Sequence, residues 1–272
     1  MEERLNAYKQ HLEERELSKS TIRTYMSCTK DFIKYLGRHK ITKKVVMDYK
    51  NALLQKYKIA TVNLYIIAVN QFLCFVGEEG CTVKTGKRQR RQSIDNVITE
   101  QDYKILLEYA SETGREKYYL IMKTLAMTGI RVSELRYITV DTLARGYTQV
   151  NNKGKIREIY LPDNLIRQIY TYCNKEKITK GVIFKGNKDA PISRTAVWQM
   201  LKHMADMVGI NKEKVYPHSF RHFFALSYMN RFSNIFELAD ILGHSSLETT
   251  RIYTTASIEQ KRKRMGELEE RS

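Results

Sequence analysis

Three short stretches of this chain carry residue types that can handle a phosphate. In Thr128-Gly129-Ile130-Arg131-Val132-Ser133-Glu134-Leu135, an arginine follows a glycine that ends an apolar helix and stands at the mouth of the next one. Backbone amides at a helix start point the same way as such a side chain, which makes a phosphate clamp. The plain alternative is a surface arginine. In His218-Ser219-Phe220-Arg221-His222, the i, i+3 spacing puts His218 and Arg221 on one helical face, aimed at one ligand. Phe220, Phe223 and Phe224 meanwhile turn to the core, and a basic helix cap is the plain alternative here. The third stretch, Leu242-Gly243-His244-Ser245-Ser246, leads to Tyr253 within Glu248-Thr249-Thr250-Arg251-Ile252-Tyr253-Thr254. In a chain with 18 tyrosines, any one is ordinarily a core or surface aromatic; polar flanks set this one apart.

The elements that must position these residues are mostly helices. Residues 1–83 predict four of them: Glu2 to Glu14, a helix capped by Ser20 and ended by Gly37, one from Lys43 capped by Thr42, and one from Val62 capped by Thr61. Residues 84–97 (KTGKRQRRQSIDNV) cannot bury a face and read as a basic linker. It is either a solvated tether or a segment that tracks a polyanion backbone. Residues 98–272 open on a capping box at Thr99–Asp102, followed by a helix from Glu116 ended by Gly129. Tyr147–Asn151 and Lys155–Leu161 then form a hairpin around Asn152-Lys153-Gly154. A third strand over Gly181–Phe184 and helices over 194–208, 219–229, 235–242 and from Ser257 complete the second domain. The class is mainly α with a small antiparallel β-sheet.

Composition narrows the partner. There are 47 Lys and Arg against 30 Asp and Glu, a net charge of +17 with the excess in all three stretches, as wrapping a polyanion requires. Nucleic acid is the first candidate and a membrane surface the second. The N-terminal stretch has no apolar leader region and no run approaches a membrane span, so a cytoplasmic protein is expected. No CxxC pair occurs, so Cys28, Cys74, Cys81 and Cys173 read as core residues rather than a zinc site.

Taken in order, TGIRVSEL, HSFRH and LGHSSLETTRIY resemble the signature of the tyrosine site-specific recombinases, the phage-integrase family. The resemblance covers essentially the whole chain, in the short Xer-type or integrase layout. It implies a helical core-binding domain over 1–83 and an α+β catalytic domain over 98–272. It also implies a role for each matching position. Arg131, His218 and Arg221 would hold the phosphate and move protons beside it, His244 would donate to it, and Tyr253 would be the nucleophile. The remaining family residue is a lysine of the β-hairpin. Lys153-Gly154-Lys155-Ile156-Arg157 favours Lys153, and because this hairpin is about one residue short of the usual pattern, Lys155 is the alternative. HSFRH departs from the common HxLRH only at a packing position.

The implied chemistry is physically coherent. Two guanidiniums can bracket the non-bridging oxygens of a phosphorane without a metal. A phenol, with its ordinary pKa near ~10, needs a base, for which His218 is suited, and a lysine can protonate the departing 5′ oxygen. The 3′-phosphotyrosyl link stores the bond energy, so no cofactor and no ATP are implied. The implied partners are a double-stranded DNA recombination site and the protein itself, as a tetramer, in a bacterial cytoplasm on the nucleoid. Candidate DNA contacts are Lys19, Arg23, Asn63 and Asn70 in the first domain and Lys84, Lys87, Arg88, Arg90 and Arg91 in the linker. The final charged helix (257–271) packs on a neighbouring subunit by family analogy, or is a frayed tail. The competing readings are a non-catalytic DNA-binding protein and a type IB topoisomerase-like enzyme.

Overall fold

The computed structural model describes residues 2–87, 96–152, 155–244 and 246–254. It divides into two compact units, residues 1–90 and 91–272.

The first unit is four helices: α1 (Glu2–Glu14), α2 (Lys19–Leu36), α3 (Lys43–Lys56) and α4 (Ile59–Phe75). Helix α4 is apolar on more than one side because it is the centre of the unit. Val62, Ile66, Val69 and Leu73 pack with Phe32, Val46, Tyr49 and Leu53, whereas Phe72 packs with Tyr8, Leu12 and Ile22. Thr42 caps α3 as expected, but Ser18 rather than Ser20 caps α2. Helix α4 starts three residues before Val62, with Lys58 as its N-cap and no side-chain hydrogen bond there, so Thr61 lies inside it. Apolar packing of Ile59–Phe75 outweighs the local capping signal.

The segment after α4 is tied down. Asn70 donates to the Val83 carbonyl (2.8 Å) and accepts from its amide (3.2 Å), and Asn63 makes the same pair with Gly86 (2.9 and 2.8 Å). Both ends of each amide are therefore engaged by the protein, which takes Asn63 and Asn70 out of the set of free DNA-reading side chains. Lys50 donates to the Lys84 carbonyl (2.7 Å). Gly86 packs closely in this docking: a Cβ there would stand 2.4 Å from Ile59 Cδ1, so that side chain would have to move. Cys74 is exposed and Cys81 half-buried, so only Cys28 and Cys173 are core residues.

In the second unit, α5 (Glu100–Glu112) starts at the expected capping box of Thr99 and Asp102. Helix α6 (Glu116–Thr128) is the hub, burying Leu120, Ile121, Met122 and Leu125. A short 3₁₀ helix (Val132–Tyr137) and α7 (Val140–Arg145) lead to the antiparallel pair β1 (Tyr147–Asn152) and β2 (Lys155–Tyr160), in which Val150 faces Arg157 and Asn152 faces Lys155. Next comes α8 (Asp163–Lys175), which the sequence reading passed over although Leu165, Ile169, Tyr172 and Cys173 form a clear buried stripe. Residues 181–184 make no strand; Val182 forms only an isolated bridge with Thr139, too short to add to the sheet. Helices α9 (Arg194–Met207), α10 (Pro217–Phe232), α11 (Ile235–Leu242) and α12 (Leu247–Thr250) follow, and a 3₁₀ turn (Arg251–Tyr253) ends the described chain. The helix expected from Ser257 lies outside the described residues.

Candidate active site

The site is organised around the C-terminal end of α11. The last carbonyls of a helix have no partners within it and carry the negative end of its dipole. Here three arginines from three other elements supply the missing donors. Arg157 of β2 donates through Nη1 to the Ile241 carbonyl (2.5 Å), Arg221 of α10 through Nη2 to that of Leu242, and Arg131 through Nη2 to that of Gly243 (3.4 Å). Arg221 also donates through Nη1 to the Gly129 carbonyl (2.6 Å). Gly129 and Gly243 end α6 and α11 in left-handed conformation, at φ +61° in both cases. Each must be glycine for a second reason, because a Cβ would stand 2.4 Å from Phe224 Cδ1 at 129 and 2.3 Å from Arg157 Cδ at 243.

Glu134, buried on the 3₁₀ helix, holds two of these arginines in place. Its carboxylate accepts from Arg131 Nη1 (3.1 Å), from the Arg131 amide (2.8 Å) and from Arg157 Nη2 (2.6 Å). Buried cations demand such a partner. Arg221, only 1% exposed, has carbonyl partners instead, and burial, then the Arg131 and Arg157 charges, push its pKa down to about 9. It remains a cation at neutral pH.

The histidines and the tyrosine close the site. His244 forms a hydrogen bond through Nδ1 with Thr250 Oγ1 (2.8 Å); burial, followed by Arg221 and Arg131, brings its pKa down to about 4. His218 reaches solvent, yet partial burial and then the Arg221 and Arg131 charges lower its pKa too. Tyr253 is 7% exposed, and burial raises its pKa to about 12 against the opposing pull of Arg221. Its hydroxyl lies 2.7 Å from Nδ1 of His222. Alongside runs a groove of about 830 Å³ lined by Arg131, Arg194, Trp198, Lys202, Tyr216 and His218.

Five of the six expected site residues (Arg131, His218, Arg221, His244 and Tyr253) thus lie together on the second unit, close enough for the charge of Arg221 to act on the other titrating groups. Lys153 lies outside the described residues; Lys155 opens β2, and its side chain is outside them as well. Lys19, Arg23, Lys84 and Lys87 are exposed on the first unit, and Arg88, Arg90 and Arg91 are not described. Sequence reasoning missed Glu134, Arg157 and His222. For Arg157 a signal existed: the two-residue period of β2 puts it on the buried face with Ile159. Among the described residues, no group of three His, Cys, Asp or Glu could hold a metal ion, and no helix is long and apolar enough to cross a membrane.

Comparison with known proteins agrees with this architecture. The phage integrase family model matches residues 96–260, more than half of the chain, and the phage integrase N-terminal SAM-like domain model matches residues 5–80. The chain therefore belongs to the phage integrase family, the site-specific tyrosine recombinases that cleave and rejoin DNA strands. Among its relatives, tyrosine recombinase XerA of Pyrococcus furiosus is 29% identical over 260 residues, covering 92% of this chain and 88% of the relative. Tyrosine recombinase XerD of Staphylococcus haemolyticus is 27% identical over 284 residues, covering 95% of each. The fold is also that of a lambda integrase tetramer bound to a Holliday junction, with a TM-score of 0.74 at 21% identity over 93% of this chain and 76% of that one.

Proposed function

We propose that Tyr253 is the nucleophile of this recombinase and that Arg131 and Arg221 bracket the scissile phosphate. The observation that carries the assignment is the convergence of these groups with His218 and His244 around one helix end. In this reading Oη of Tyr253 attacks phosphorus and the bond to the 5′ oxygen breaks. A 3′-phosphotyrosyl link forms, and a lysine of the hairpin turn, Lys153, protonates the departing oxygen. His244 donates to the phosphate, and His218 stands at its edge. Attack of a 5′-hydroxyl from another strand reverses the step and rejoins the DNA.

The substrate is a double-stranded recombination site, engaged by the protein as a tetramer on the nucleoid. Core-site binding falls to residues 1–83 and catalysis to 98–272, with 84–97 between them. Lys19, Arg23, Lys84, Lys87, Arg88, Arg90 and Arg91 are assigned to the DNA backbone, where positive charge supplies affinity without base readout.

The test is covalent trapping on a nicked duplex selected from a random pool by the protein's own binding. A detergent-stable protein–DNA band that forms with divalent metals chelated and disappears in Tyr253→Phe is expected. A band that persists in Tyr253→Phe assigns the nucleophile to another tyrosine.

A further inference from the structure

We propose that His222 is the group that takes the phenolic proton of Tyr253 when the strand is cut. The inference rests on Tyr253 being the nucleophile and adds to that reading a catalytic residue outside its expected set. Consecutive residues of a helix point about 100° apart. Arg221 is therefore turned toward the carbonyls of Gly129 and Leu242, while His222, the next residue of α10, is turned to the tyrosine. Nδ1 of His222 lies 2.7 Å from Oη of Tyr253, within the reach required of a general base. In the Nε2–H tautomer the phenol donates to the lone pair on Nδ1.

His218 stands one helical turn back and meets the His222 ring edge-on, at 4.9 Å between centroids and 80° between planes. The two imidazoles thus form a file, with His222 on the hydroxyl and His218 behind it. Burial gives the His222 contact its importance: Tyr253 is nearly closed off from water, and its hydroxyl is harder to ionise for that reason. A proton leaving this phenol needs an acceptor inside the protein. The step balances simply. The Oη–H bond breaks and its proton goes to Nδ1, the Oη–P bond forms, and the P–O5′ bond breaks with the electron pair and a proton from the hairpin lysine ending on the 5′ oxygen. On rejoining, the imidazolium returns its proton to Tyr253.

The experiment uses the full chain and the nicked duplex selected above, following covalent complex formation in a single turnover. Asparagine places an amide oxygen at the level of Nδ1, so His222→Asn still accepts a hydrogen bond from Tyr253 but cannot take its proton. Cleavage by His222→Asn is expected to be about 10²–10⁴-fold slower than wild type with unchanged DNA affinity. His222→Gly is expected to regain rate with added imidazole. A substrate whose 5′ oxygen is replaced by sulfur needs no proton at the leaving group. It is expected to leave His222→Asn slow and to restore Lys153→Ala.

Wild-type cleavage rates in His222→Asn would show that holding the hydroxyl suffices and overturn the proposal, as would rescue of His222→Asn by the sulfur substrate. Those outcomes leave the nucleophile standing as long as Tyr253→Phe makes no complex. A complex formed by Tyr253→Phe removes the nucleophile assignment and this inference with it.

Discussion

The two units of this protein bury different things. Among the described residues, the first unit buries no charged side chain: Thr29, Cys28 and the phenols of Tyr8 and Tyr49 are the polar groups in a core that is otherwise aliphatic and aromatic. The second unit buries Glu134, Arg157 and Arg221, three ionised side chains, beside a similar apolar core. Apolar burial stabilises in proportion to area, whereas each buried ion costs several kcal/mol of hydration that its partners only partly return. The first unit is therefore built for stability and a surface. The second accepts charge in its interior because a desolvated guanidinium interacts far more strongly with a phosphate than a solvated one.

The contrast can be broken most forcefully at Glu134. Glu134→Gln leaves Arg131 and Arg157 without their counter-charge, and the second unit is expected to lose about 3–5 kcal/mol in urea unfolding. An unchanged midpoint would mean that the carbonyls of α11 alone hold the arginines. In the first unit, Leu73→Ala removes a fully buried side chain and is expected to cost about 2–5 kcal/mol, read as a shift of that unit's transition only. A shift of both transitions would show that the units do not unfold separately.

The glycines sharpen the comparison on a smaller scale. Gly146 and Gly243 both end helices in the left-handed helical conformation, so alanine costs about 1–2 kcal/mol at either from backbone strain. A Cβ at 146 would meet only Ile166 Cδ1 at an ordinary 3.9 Å, whereas a Cβ at 243 collides with Arg157, adding about 1–3 kcal/mol and displacing that guanidinium. Equal melting shifts for the two variants would contradict this.

The last expected effect is in pH. His244 is lowered from 6.5 to about 4 in the folded protein, so between those values the unfolded chain binds a proton that the folded one does not. Stability of the second unit should fall as pH drops from about 6.5 toward 4, with His218 acting in the same direction. Tyr253, raised from 10.0 to about 12, gives the opposite sign. There the unfolded chain ionises first, and stability falls as pH rises through that window. Thermal melts across pH should show both slopes, and His244→Gln should flatten the acidic one.

Local pattern made much of this protein legible. Thr42 and Thr99 start helices, Gly37, Gly129 and Gly243 end them, and β1 and β2 pair as their alternation demands. The order of the three motifs was enough for the resemblance, because spacing within a helix or turn decides which side chains share a face. Tertiary structure decided what lies beyond a helical turn. It started α4 at Ile59 because burial along a central helix outweighs a cap, and it left residues 181–184 without a strand partner. It brought Arg221 to the carbonyl of Gly129, 92 residues away, and set Glu134 between two arginines. It also put His222, rather than His218, against the hydroxyl of Tyr253. Helix periodicity places neighbours three and four residues apart. Which distant charges must share one desolvated interior follows only from how the helices pack.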